Sequence, residues 1–398
     1  MLFLRRAAVV GFVLVVAACG RPPPGPPRLD LAPANFAALP GWPDDRHDEA
    51  IAAFLRSCER FAPLPDDRLV GFDGFAGVIA DWREPCAAAA RIAPGDGAAA
   101  RAFFEDRFLP FAASDRGERE GLFTGYYEPL LAGARRRDAR YTVPLYARPD
   151  DLVAVDLGLF STDLKGRRIA GRVVDGVLKP YPSRAEIDAG LLAGRVPVIA
   201  WVDDPVDAFF LQVQGSGRVR LPDGKLMRLG YAASNGRAYV SIGRYLVERG
   251  ALTRDAVSLP AIRAWLAAHP DDAAAVLGVN PSYVFFRELD GDGPLGSQGA
   301  VLTPGRSLAV DRRFIPLGVP VWLDIATPAA DPAAPDRRLR RLVVAQDTGG
   351  AITGPLRGDF FWGFGPEAGA IAGRMKHPGR LYLLLPRAVA RRIVAAGG

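Results

Sequence analysis

Two aspartates near the C-terminus carry the chemistry that this sequence offers. Asp347 ends the run Leu342-Val343-Val344-Ala345-Gln346, and Asp359 follows twelve residues later in Gly358-Asp359-Phe360-Phe361-Trp362. The apolar, β-branched residues ahead of Asp347 predict a buried strand. Gly349 and Gly350 then break it, because glycine takes positive φ without steric cost. A carboxylate beside aromatic rings loses hydration, which favours its protonated form and raises its pKa. Phe360, Phe361 and Trp362 are therefore expected to fence Asp359 and keep an acid available near neutral pH. Aspartate is also a common turn residue, so each position has a purely structural alternative.

Other chemistries find little support. The three histidines, His47, His269 and His377, are not spaced with another His, Cys or Glu as metal ligands are. No metal or organic cofactor is expected. Gly291-Asp292-Gly293-Pro294-Leu295-Gly296 matches a dinucleotide fingerprint by letter but precedes strands, without a βαβ context. Asp290 and Asp292 lack a glutamate at the twelfth position of a calcium loop. Asp347-Thr348-Gly349 is the triplet of aspartic proteases, which need two facing copies, and only one is present. Gln214-Gly215-Ser216-Gly217 is not a nucleophile elbow. Its glycines leave backbone N–H groups open, which suits a groove wall that bonds sugar or amide groups. The net charge of +6 comes without a basic block interleaved with aromatics, so nucleic acid is not an expected partner.

The elements that must position these residues follow from pattern. A chain of 398 residues is too long for one typical core and predicts two domains. Its 44 glycines and 35 prolines favour short strands and many turns. Arg5 and Arg6, the apolar stretch Ala7 to Val16 and the small residues before Cys19 predict a lipoprotein signal over residues 1–18. Cys19 is then the lipidated residue, and residues 19–43 a proline-rich tether, stiff and extended. Ile51, Phe54, Leu55 and Cys58 share one helix face, with Asp44 or Asp45 as its cap. Further helices are expected over 75–82, 98–108, 237–249 and 260–268. Cys58 and Cys86 could pair in an oxidising compartment or stay buried thiols. From Gly121 to about 235 the texture is strands and turns, including Phe209 to Gln214. Pro222-Asp223-Gly224 marks a hairpin turn. Strands return near Tyr283 and run to the C-terminus.

Taken in order, several motifs resemble the membrane-bound lytic murein transglycosylase A family. They are Phe123-Thr124-Gly125-Tyr126-Tyr127, Pro182-Ser183-Arg184-Ala185-Glu186-Ile187, Val213-Gln214-Gly215-Ser216-Gly217 and Asn235-Gly236-Arg237-Ala238-Tyr239. Ser241-Ile242-Gly243, Asn280 to Phe286, Asp311 to Gly318, Asp347 to Ile352 and Gly365 to Gly369 continue the match. The C-terminal part also resembles the domain named for three aspartates, here Asp311, Asp347 and Asp359.

The resemblance implies a mainly β protein with N-terminal helices. A double-psi β-barrel is split over residues 44–127 and 283–393, and a smaller β-barrel with linking helices, 128–282, is inserted; the glycan lies in the groove between them. It implies a peptidoglycan lytic exotransglycosylase. Such an enzyme cleaves the β-1,4 bond between N-acetylmuramic acid and N-acetylglucosamine without water and leaves a 1,6-anhydromuramic acid end. Asp359 matches the catalytic acid, and Asp347 and Asp311 match supporting aspartates. Thr124, Tyr127, Gln214, Ser216 and Asn235 are the groove candidates. The implied partners are peptidoglycan glycan strands, the outer membrane through the lipid anchor, and proteins of cell-wall synthesis or division complexes. The implied location is the periplasmic face of the outer membrane. A hydrolase on the same bond and a non-catalytic murein-binding lipoprotein are the rival readings.

Overall fold

The computed structural model describes residues 25–164, 166–291 and 293–397. The expected signal segment and Cys19 lie outside them. Among the described residues no helix is long and apolar enough to cross a membrane. The chain opens with strand β1 (Asp30–Pro33), then helices α1 (His47–Phe61), α2 (Ala80–Ala89) and α3 (Gly97–Arg107), then strands β2 (Phe108–Ser114) and β3 (Gly121–Glu128). A second region carries β4 (Leu130–Ala134), β5 (Val143–Tyr146), β6 (Val153–Asp156), β7 (Arg168–Val174), β8 (Val177–Pro180), β9 (Val198–Val202), β10 (Ser216–Arg220), β11 (Leu226–Ser234) and β12 (Val284–Glu288). The last stretch adds β13 (Ser307–Val310), β14 (Pro320–Thr327), β15 (Arg337–Asp347), β16 (Arg357–Phe364) and β17 (Lys376–Pro386).

Six of these strands close on themselves in the order β17-β14-β15-β13-β16-β3, with β3 pairing back onto β17. Only β3 comes from before the second region, so the ring is completed by two parts of the chain distant in sequence. Full closure leaves no free edge within the ring. β2 and β1 extend the sheet from β17. Helices α1 to α3 pack on the ring through one continuous core that includes Phe54, Trp82, Phe104, Phe108, Trp322 and Val343. Cys58 on α1 and Cys86 on α2 form a disulfide, with 5.6 Å between Cα atoms.

The second region builds a six-stranded sheet, β12-β11-β10-β4-β9-β5, and a three-stranded sheet, β6-β7-β8. A bridge between Ala147 and Phe286 joins the two edges of the former. Leu131, Leu145, Val202, Leu211, Val219 and Phe286 form its own core.

Several expectations are corrected. Residues 30–43 are not all tether: β1 pairs with β2, and Leu39 and Trp42 are buried in the core. The strand at 284–288 does not return to the ring but pairs with β11, so the second region extends to Glu288. Phe209 to Gln214 belong to a helix, Pro205–Gln214, which Asp204 caps by accepting from Val206 N. The second N-terminal helix starts at Ala80, not Phe75. Asp45 does not cap α1. It takes a bidentate contact from Arg306 at 2.8 and 3.0 Å, and Arg306 also reaches Glu49 at 2.9 Å. Both members of the Asp45–Arg306 pair are buried, and this pair locks α1 to the start of β13.

Candidate active site

Both aspartates stand on the wall of the ring, at the end of β15 and inside β16. In register, Ala309 of β13 pairs with Asp347 on one side and with Asp359 on the other, and Asp359 pairs in turn with Thr124 of β3. Registered neighbours in a sheet share a face, so four side chains lie in one row. β15 slips by one residue here, because Leu308 pairs with Ala345 and Ala309 with Asp347. Gln346 is the extra residue of this bulge. Its buried amide donates to Ala53 O at 2.8 Å and Ser57 Oγ at 2.9 Å, and its Oε1 accepts from Ser307 Oγ at 2.6 Å. The strand end that bears Asp347 is therefore fastened to α1.

Ala309 of this row joins Tyr126, Leu302, Ile352 and Phe361 in a small apolar cluster. The expected fence of three aromatics is only partly present. Side chains alternate along a strand, so Phe361 shares the face of Asp359, while Phe360 and Trp362 belong to the main core on the opposite side. Trp362 needs Gly125 there, since a Cβ on Gly125 would sit 2.6 Å from the indole nitrogen.

The two carboxylates have different surroundings. Asp347 Oδ1 accepts from Ser297 N at 2.8 Å, Ser297 Oγ at 2.9 Å and Thr348 N at 2.8 Å, and Oδ2 accepts from the Tyr126 hydroxyl at 3.2 Å. Burial raises its pKa, and these donors hold it down in part, leaving it above the usual carboxylate value. Asp359 receives one hydrogen bond, from Thr124 Oγ1 at 2.7 Å to Oδ1. Among the described residues no group donates to its Oδ2. Burial pushes the Asp359 carboxyl up to about 6, opposed by the Thr124 hydrogen bond and the Arg357 guanidinium and reinforced by the charge of Asp347. An acid with one free oxygen and a pKa near 6 can hold and release a proton at ordinary pH. Asp347, with four donors on its two oxygens, has neither oxygen left over to hand on a proton.

Asp311 is placed differently from either. Burial pushes its pKa up, but hydrogen bonds from Arg313 and from Gly354 N outweigh this and leave it below the usual value. Through Gly354 N, at 2.8 Å, it holds the loop between Asp347 and Asp359. Thr124 contacts the acid directly. Gln214 Oε1 accepts from Tyr127 N at 3.0 Å, so these two meet where the second region joins the ring. Buried Glu128 and half-buried Arg218 make an ion pair at the same junction, 3.1 Å apart.

Ser216 is buried in β10, opposite Gly230. Asn235 is not a groove residue: it is fully buried, donates to Pro182 O and Pro281 O at 2.8 Å, and accepts from Tyr283 N at 2.9 Å. Arg357, Ser297 and Tyr126 were not singled out by sequence. Only Tyr126, inside the Phe123–Tyr127 motif, carried a signal.

An inserted domain joined to a three-aspartate domain is also what comparison finds. The MltA specific insert domain matches residues 122–287, and the 3D domain matches residues 306–385. Membrane-bound lytic murein transglycosylase A of Vibrio cholerae is 34% identical over 273 residues, 67% of each chain. The enzyme of that name from Escherichia coli K12 is 34% identical over 294 residues, 73% of this chain and 72% of its own. Among solved structures, the membrane-bound lytic murein transglycosylase from Agrobacterium tumefaciens has a TM-score of 0.81 at 35% identity, covering 91% of this chain and 99% of that one. E. coli MltA with bound chitohexaose has a TM-score of 0.62 at 28% identity, covering 91% and 95%. The chain belongs to the membrane-bound lytic murein transglycosylase A family.

Proposed function

We propose that this chain cleaves peptidoglycan as a lytic transglycosylase, with Asp359 as its single acid and base. The observation that carries the reading is the free Oδ2 of Asp359, on a carboxyl held near pKa 6, beside neighbours already committed. Glycosidases that use water need a second carboxylate free to act. Here Asp347 has four donors, Asp311 is tied to Arg313, and Glu128 to Arg218. One group suffices if the sugar supplies its own nucleophile. Asp359 gives its proton to the glycosidic oxygen as the bond from muramic acid C1 breaks. Its carboxylate then takes the proton of the muramyl 6-hydroxyl as that oxygen bonds to C1. No water is consumed, and a 1,6-anhydro end results.

The family membership and the chitohexaose bound by a relative support a glycan substrate. In the same reading the closed six-stranded ring is a double-psi barrel, the second region is the smaller barrel, and glycan runs between them past Thr124, Tyr127 and Gln214. Ser216 would contribute through its backbone. Cleavage starts from chain ends, and lipid on Cys19 holds the enzyme at the periplasmic face of the outer membrane. The test is the product of purified sacculi. Ends one water lighter than hydrolysis products, resistant to borohydride and unlabelled by heavy-oxygen water, are expected. A labelled, reducible muramic acid end would overturn the reading in favour of a hydrolase.

A further inference from the structure

Thr124 stands between two groups of fixed hydrogen-bonding character. Arg357 Nη2 lies 2.8 Å from Thr124 Oγ1, and a guanidinium has donors only. The hydroxyl oxygen must therefore accept from it. On the other side, Asp359 Oδ1 lies 2.7 Å away. A hydroxyl has one proton, and with the arginine side closed to it, that proton points at Oδ1. Arg357 is itself held. Its Nη1 donates to Leu122 O at 3.2 Å and Gly358 O at 2.6 Å, carbonyls of the paired strands β3 and β16.

We propose that Arg357 is a positioning residue: through Thr124 it reserves Asp359 Oδ1 as a permanent acceptor and so assigns the transferable proton to Oδ2. The inference rests on Asp359 being the acid of the proposed reaction. A proton on Oδ1 would displace the Thr124 proton, which has no second protein acceptor among the described residues, so the acid form carries it on Oδ2, the oxygen without a protein donor. Oδ2–H then protonates the leaving oxygen as C1–O4 breaks, and the same Oδ2 accepts the 6-hydroxyl proton as O6–C1 forms. The carboxylate need not rotate between the two steps. The Thr124 hydrogen bond also strengthens once its acceptor is ionised, which eases departure of the proton.

The groups facing Asp359 are few. β3 presents Thr124 and Tyr126, β15 presents Asp347, and β13 presents only Ala309. Lys376 of β17 pairs with Thr124 in register but is exposed, and His377 is taken up by Asp336. Among the described residues, Arg357 is thus the cation that bonds to the Thr124–Asp359 pair.

The experiment titrates the Asp359 carboxyl carbon by NMR in ¹³C-aspartate-labelled full-length protein, with Asp359→Asn for assignment and thermal melts to check folding. Arg357→Met and Thr124→Val should each raise the midpoint by about one pH unit. The double variant should move it by less than the sum, because one residue acts largely through the other. Thr124→Ser, which keeps the hydroxyl, should stay at the wild-type midpoint. An unmoved midpoint in a folded Arg357→Met, or fully additive shifts, would overturn the proposal and leave Arg357 a strand clamp. If the shifts occur but wild type releases no anhydro ends, the coupling stands and the proposed reaction fails.

Discussion

Asp347 and Asp359 flank the same residue, Ala309, one from each neighbouring strand of the ring. Two strand spacings put their Cα atoms about 9–10 Å apart on one face. That alignment exists because Gln346 bulges out of β15. Without the extra residue, Ala309 would pair with Gln346, and Asp347 would follow on the opposite face. The bulge thus brings a second negative charge to bear on Asp359, and the buried Gln346 amide makes the arrangement rigid.

Asp347→Asn tests that charge. Asp347 raises the Asp359 pKa, so its neutralisation should lower it. A general acid works only while protonated, and activity should fall as pH rises through about 6 in wild type. In Asp347→Asn this alkaline limb should move to lower pH, with substantial activity kept below it. The pH profile of muropeptide release measures both. A limb that moves upward, or stays in place, would remove Asp347 from the electrostatics of the acid.

Much of this was legible in sequence where a local period or turn decides the outcome. The helical spacing of Ile51, Phe54, Leu55 and Cys58 is found in α1. Pro222-Asp223-Gly224 does join two antiparallel strands. The expectation of strands and turns over Phe209 to Gln214 fails because the apolar run Phe209-Phe210-Leu211 fits either structure, although Asp204-Pro205 is a helix start. The rest depends on partners far along the chain. Arg357 meets Thr124 across 233 residues, and no spacing in either segment announces it. Nor does composition show that Asn235 would spend its amide on the carbonyls of Pro182 and Pro281. The bulge at Gln346 is set by closure of the ring, not by local propensity.

The Cys58–Cys86 disulfide joins α1 to α2 across 28 residues of sequence. Closing a loop of that size stabilises the fold by about 3.5 kcal/mol in the chain-entropy account. The Cys58→Ser, Cys86→Ser double variant should melt several degrees lower, yet retain wild-type cleavage below its transition, since both cysteines pack against the main core and not in the cluster beside the carboxylates. Calorimetry with an activity assay at low temperature checks this. Equal melting temperatures with and without reductant would show that the bridge contributes nothing.

Anchoring can be tested independently of chemistry. Cys19→Ala should abolish lipid attachment and shift the protein from the membrane fraction to the soluble periplasmic one, or leave it unprocessed. Gly20 follows the cysteine, and transfer to the outer membrane is the expected fate of the wild type. Fractionation with metabolic lipid labelling decides. Wild-type protein found wholly in the soluble fraction would refute the anchor.

Asp359→Asn separates function from stability, and its sign can be worked out in advance. Asparagine keeps an oxygen for the Thr124 hydroxyl but cannot give up and retake a proton, so cleavage should fall to background. The folded-state pKa of Asp359, about 6, lies above the ordinary value of 3.8. The native state therefore binds this proton more tightly than the unfolded chain does. Any advantage from it is complete below pH 4 and is lost as pH rises through about 6. At pH 7 to 8 the wild type thus carries an ionised, poorly hydrated carboxylate, at a cost of about 2–3 kcal/mol. Removing it should raise the melting temperature of Asp359→Asn above wild type at pH 8, with the difference shrinking towards pH 4. Paired melts across that range measure the effect. A variant less stable than wild type at pH 8 would mean that the carboxylate is held by favourable contacts and is not the desolvated acid the proposed reaction needs.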